Sequence, residues 1–98
     1  GTVTVTVTVP AAGGVKATAR ARAGSPRKLR VLATGNGRAR KRGQVRIVLA
    51  PVRRYRGELR ERGAIPARVE VGYVASRGGR RLRASARVTF RARVKVNR

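Results

Sequence analysis

Three carboxylates stand against 26 basic side chains in this 98-residue chain: Glu58, Glu61 and Glu70 are its only acids. There is no Asp, His, Cys, Met or Trp. That inventory limits the chemistry that is open. A metal site needs clustered His, Cys or carboxylate ligands, and three scattered glutamates do not make one. Nucleophilic catalysis of the Ser–His or Cys–His kind lacks its base. Two carboxylates working in one cleft is an option only for Glu58 and Glu61. No enzyme activity, cofactor or metal is therefore expected, and the chain reads as a binding or structural protein.

The cations are what the chain has to work with. Lys16, Lys28, Lys41 and Lys95 are the only lysines, and the rest are Arg, for a formal net charge of +23. Arg81, Arg83, Arg87, Arg91, Arg93 and Lys95 share one face of the last alternating segment, as a ladder with a spacing of roughly 6.7 Å in a strand. Arg68 and Arg77 on the preceding segment broaden it. Arg38, Arg40, Lys41 and Arg42 form a second basic run, and Arg53 and Arg54 a third. Such an array neutralises a polyanion: nucleic acid, an anionic glycan or cell-wall polymer, or an anionic membrane. It is equally the solvated outer face of a sheet in a chain whose Arg, Val, Ala and Gly content follows a high-GC coding bias. A chain this small and this basic binds polyanions at low salt under either reading.

Base-specific recognition is not expected. Tyr55, Tyr73 and Phe90 all fall on apolar faces, which leaves no exposed platform for stacking bases. No basic recognition helix of useful length and no zinc finger is present. Gly13-Gly14 and Gly35-Asn36-Gly37 lack the strand-to-helix setting of a phosphate loop. Contacts should be made to backbone charges and should weaken steeply with salt.

The elements that must carry these residues are mostly strands, because the dominant hydrophobic period is two. Thr2 to Val9 alternates Thr and Val until Pro10, which cannot donate to a ladder. After Gly13-Gly14, Val15, Ala17, Ala19, Ala21 and Ala23 alternate with Lys16, Thr18, Arg20 and Arg22. The small Ala side chains suggest close approach of another layer. Gly24-Ser25-Pro26 reads as a turn. Leu29, Val31 and Ala33 then form the apolar side of a third strand, opposite Lys28, Arg30, Leu32 and Thr34. Gly35-Asn36-Gly37 reads as a hairpin turn, with Arg38 to Arg42 a short strand or a basic loop. Val45, Ile47 and Leu49 alternate again. Pro51 to Arg62 is the one helical stretch: Val52, Tyr55 and Leu59 form an apolar stripe, Glu58 and Arg62 a favourable i, i+4 pair, and Gly63 the cap.

Ile65 to Ala75 and Leu82 to Val96 form the clearest pair of strands. A two-residue turn at Gly78-Gly79 would set Val71 opposite Ala86, Val69 opposite Val88, Ala67 opposite Phe90 and Glu70 opposite Arg87. Six to seven strands, each with one apolar face, cannot be covered by one short helix. The expected fold is all-β: an antiparallel β-sandwich of one domain over 1–98, with a crossover helix at about 51–62. A small barrel is the alternative.

The order of elements resembles a known group. Val45-Arg-Ile-Val-Leu-Ala-Pro51, then Glu58-Leu-Arg-Glu-Arg-Gly63, then Ala64-Ile-Pro-Ala-Arg-Val-Glu-Val71 and a terminal hairpin are similar to the basic Ig-like or fibronectin-like β-sandwich modules of secreted actinobacterial proteins. Those modules often carry an Asp-Ala-Ala-Gly-Asn type turn in the hairpin. Here Gly78-Gly79 stands instead, without a cation-binding turn. The resemblance covers about Val15 to Asn97 and implies an extracellular or cell-surface structural, adhesion or assembly module, with no catalytic residues. The uncharged strand at the start could dock into its own domain. It could also complete the sheet of another copy in a filament, since an uncharged edge strand left bare is an aggregation hazard. There is no apolar run of about 18 residues for a transmembrane helix and no signal peptide. Beginning at Gly1, the chain reads as a processed or excised piece.

Overall fold

The computed structural model of the protein describes residues 2–91. Its elements are β1 (Val3–Val9), β2 (Gly13–Ala23), β3 (Lys28–Ala39), β4 (Gly43–Pro51), α1 (Arg53–Arg62), β5 (Ala64–Ala75) and β6 (Arg81–Arg91). All strand pairs are antiparallel, in the order β1-β4-β3-β2-β5-β6. The fold is therefore all-β with one short helix. The sheet nearly closes on itself, because its first and last strands touch.

The short link between β1 and β2 explains why the sheet must curl. Only Pro10 to Ala12 separate the two strands. In a flat sheet β1 would lie three strand spacings from β2, about 14 Å, which is the full reach of a taut link of this length. Curling the sheet so that the β1–β4 pair comes over the rest shortens that gap, and the link then spans it easily. Tyr73 holds the crossing in place: its buried hydroxyl lies 2.9 Å from the Ala11 carbonyl oxygen and 3.3 Å from that of Ala12.

Small residues let the second layer come down. Ala17, Ala19, Ala21 and Ala23 are all buried. β4 is laddered to β3 at Ala33–Pro51 and Thr34–Ala50 and then crosses above it. A Cβ placed on Gly35 would sit 2.5 Å from Ile47 Cγ2, and one on Gly37 would sit 2.6 Å from Val45 Cγ1. These glycines are therefore not a turn. They lie within β3, opposite Ala17 and Val15 of β2, and neither has the positive φ a hairpin dipeptide would need. The segments on either side merge into one strand, and the described residues form six strands.

A second difference lies earlier in β3. The register slips between Ala19 and Arg20, so Ala19 faces Ala33 while Arg20 faces Val31, leaving Leu32 as the extra residue. Leu32 and Ala33 are both buried, whereas Leu29 is 67% and Val31 39% exposed. Strict alternation puts Leu29 and Val31 inside, but a bulge consumes one residue and reverses the faces beyond it. Arg30 turns to the other side, where its guanidinium donates to the carbonyl oxygens of Ala23 (2.9 Å) and Pro26 (3.3 Å).

The β5–β6 hairpin is also offset from the expected pairing. Its loop is four residues, Ser76 to Gly79, closed by the Ala75 N–H donating to the Arg80 carbonyl at 2.8 Å. Glycine serves at both positive-φ positions, Gly78 (78°) and Gly79 (63°). Val71 therefore faces Ala84, Val69 faces Ala86, Ala67 faces Val88, and Glu70 faces Ser85 rather than Arg87. The offset is two residues, so inward and outward sets are unchanged.

The helix begins two residues later than expected. Pro51 still belongs to β4, and the Val52 N–H still donates to Leu32 O at 2.8 Å, so the chain is extended until Arg53. A ten-residue helix with no side-chain N-cap would be marginal alone. Tyr55 and Leu59 bury its inner stripe, and Gly63 donates its N–H to Leu59 O at 2.8 Å as the cap. The Gly24 N–H, in the β2–β3 turn, donates to the Glu58 carboxylate at 2.7 Å. Arg62 donates to Glu58 at 2.9 Å and to the Arg22 carbonyl at 2.8 Å. Both donors favour the carboxylate form, so the Glu58 carboxyl is held below its ordinary value, first by the Gly24 amide and then by Arg62. Stability from a lowered carboxylate is complete above the ordinary carboxylate range and is lost as pH falls through the lowered value. The melting temperature is accordingly expected to drop on acidification through that range, and less steeply in Glu58→Gln. Equal slopes for the two proteins would show that this carboxylate does not fasten the helix.

Candidate polyanion-binding face

The two layers differ sharply in charge. The outward side chains of β1 and β4 are Thr4, Thr6, Thr8, Gln44, Arg46, Val48 and Ala50, with one cation among them. The outward positions of β2, β5 and β6 carry eight: Lys16, Arg20, Arg22, Arg68, Arg81, Arg83, Arg87 and Arg91. Their only acid is Glu70.

The sheet register aligns these residues in rows across the strands. Lys16, Gly72 and Arg83 share one row; Thr18, Glu70 and Ser85 the next; Arg20, Arg68 and Arg87 the third. Neighbours in a row lie about 4.8 Å apart, and successive rows are roughly 6.7 Å apart. Between the second and third rows the Arg20 guanidinium donates to Glu70 at 2.9 Å and Arg68 donates to the Ser85 hydroxyl at 3.4 Å. An open depression of about 550 Å³ lies over these rows, lined by Gly72 together with Lys16, Arg20, Arg68, Glu70 and Arg83.

Of the residues singled out by sequence, Arg81, Arg83, Arg87 and Arg91 lie exposed along the outer side of β6. Arg38 also reaches this face, because it lies on β3 opposite Gly14 of β2. In the row order Arg38, Gly14, Val74, Arg81, two residues of the basic runs stand at the same end of one sheet. Arg40, Lys41 and Arg42 form the exposed loop between β3 and β4. Arg93 and Lys95 lie outside the described residues. Lys16, Arg20 and Arg22 were not among the sequence candidates. Their alternation with Ala was visible, but β2 lies beside β5 only through a long-range pairing.

Tyr55, Tyr73 and Phe90 are buried, so none of the three aromatics presents a ring to bases. Among the described residues, no group of three His, Cys, Asp or Glu could hold a metal, and no helix is long and apolar enough to cross a membrane. Comparisons with protein-family models, curated proteins and solved structures gave no match.

Proposed function

We propose that the domain is a non-enzymatic module that docks polyanions through the outer face of β2, β5 and β6, contacting backbone charges without reading sequence. One observation carries this reading: eight cations and one acid on the outward positions of β2, β5 and β6, against one cation on those of β1 and β4. A compositional bias alone would scatter arginine over both layers. The alternative of a spacer or adhesion module without a ligand draws on the resemblance to secreted sandwich modules, and an extracellular or cell-surface location goes with it. We take the architecture to be an Ig-like sandwich, supported by the Greek-key order of β1 to β4 and the short arch from β1 to β2. A crystal structure with β1 laddered to β6 along its length would replace the sandwich by a barrel.

The function is tested by titrating oligothymidylate and heparin against the protein over a range of salt. Affinity should fall linearly on logarithmic axes. The double variant Arg83→Gln/Arg87→Gln should reduce the steepness by about two on that scale. Arg46→Gln, on the other layer, should leave it within error. Equal effects from both variants would mean that net charge alone binds, with no dedicated face.

A further inference from the structure

We propose that the depression over Gly72 is a seat for one tetrahedral oxyanion of the polymer, a phosphate or sulfate group, and that Glu70 is its built-in competitor. The inference rests on the polyanion reading above and assigns the central contact of that face.

Glu70 occupies the middle of the three rows. Around it, at the flanking positions, stand Lys16, Arg83, Arg20, Arg68 and Arg87, with the Thr18 and Ser85 hydroxyls on either side. Five cations and two hydroxyls thus occupy the positions around one carboxylate, and four of the cations, Lys16, Arg20, Arg68 and Arg83, line the depression. That is the donor set an oxyanion needs, and the carboxylate is a weaker version of the same ligand. Among the described residues Arg20 alone is engaged with Glu70, at 2.9 Å, and the Glu70 side chain is 59% exposed. It is free to swing out when a more highly charged group arrives.

Gly72 lines the seat beside Val71 and Ala84 and puts no side chain into it. A Cβ on Gly72 would meet nothing within 4 Å, so no packing requirement explains glycine there. Glycine weakens a strand interior, where β-branched residues are favoured. What its absence of side chain provides is the depression itself, between Lys16 and Arg83. An anion entering it takes the Arg20 guanidinium from Glu70 and is repelled by the remaining carboxylate. Glu70 thereby weakens binding of lone anions and leaves polymers with many charges favoured.

The experiment compares the wild type with Glu70→Gln, Gly72→Val and Glu61→Gln. Glu61 is an exposed helix residue outside the face and controls for net charge. The probes are inorganic phosphate, oligothymidylate and heparin, at low and intermediate salt. Glu70→Gln is expected to bind roughly three- to fivefold tighter, the worth of one exposed ion pair, and Glu61→Gln less than about twofold. Gly72→Val should bind at least about threefold more weakly while melting no lower than the wild type, since valine suits a strand. Whichever polymer shows the larger change identifies phosphate or sulfate as the natural group. If the two Glu variants tighten equally and Gly72→Val binds normally, polyanion binding stands but the seat is wrong. If the wild type binds none of the probes at low salt, the polyanion reading falls and the seat with it.

Discussion

Replacing Phe90 with alanine is expected to cost about 4 kcal/mol of folding stability, read as a lower denaturant midpoint at an unchanged slope. Phe90 is completely buried, opposite the equally buried Ile65 of β5. It is also the point at which β6 is fastened. Along the inward side of its described residues Leu82, Ala84 and Ala86 are exposed, Val88 is half-buried, and Phe90 alone is fully enclosed. Small domains are stable by about 5–15 kcal/mol, so the loss is a large fraction of the whole. It reaches the cationic face as well, because β6 carries Arg81, Arg83, Arg87 and Arg91. Polyanion affinity should fall in Phe90→Ala although no cation has been removed. Leu82→Ala, on the same side of the same strand, should cost below about 1 kcal/mol, as a partly exposed position does. Similar costs at the two positions would show that β6 is held by its ladder alone.

Gly35→Val is expected to destabilise by about 3 kcal/mol, at the upper end of overpacking. The added Cβ would lie 2.5 Å from Ile47 Cγ2, 3.0 Å from Leu49 Cδ2 and 3.1 Å from the Val48 carbonyl. Two neighbouring side chains and a backbone atom cannot all withdraw without lifting β4 from β3. Gly14→Val is the matched comparison. Gly14 also lies within a strand, but its Cβ would meet nothing within 4 Å. That change should fall within about 0.5 kcal/mol of neutral. Equal melting temperatures for the two variants would contradict the close crossing of β4 over β3.

These cases separate what was legible locally from what was not. The Thr-Val repeat of β1, the Ala-Arg alternation of β2 and the long alternations of β5 and β6 all became strands, because a strand's two faces are written into adjacent residues. Tyr55 and Leu59, Gly63 and the Glu58–Arg62 pair marked the helix for the same reason. The readings that changed each depended on something non-local. Gly35-Asn36-Gly37 has the residues of a turn, yet it lies under a second layer that requires glycine for space. Leu29 and Val31 have the spacing of core residues, yet the bulge at Leu32 turns them outward. The β5–β6 register was offset because a Gly-Gly pair can close a four-residue loop as well as a two-residue one, and a slip of two keeps every face in place.

The cationic face proposed to bind divides in the same way. The chemistry proposed for it rests on composition, 26 cations against three carboxylates. The β6 ladder follows from period two. That Lys16 and Arg20 of β2 stand beside Arg68 of β5, with Glu70 among them, is decided by strand order, and local sequence does not encode which strands become neighbours. The single acid on the face pairs with Arg20, fifty positions away in the chain, rather than with Arg87 on the adjacent hairpin strand. Local alternation settles which way each side chain points; only the closing of the sheet over its small-residue core settles what it points beside.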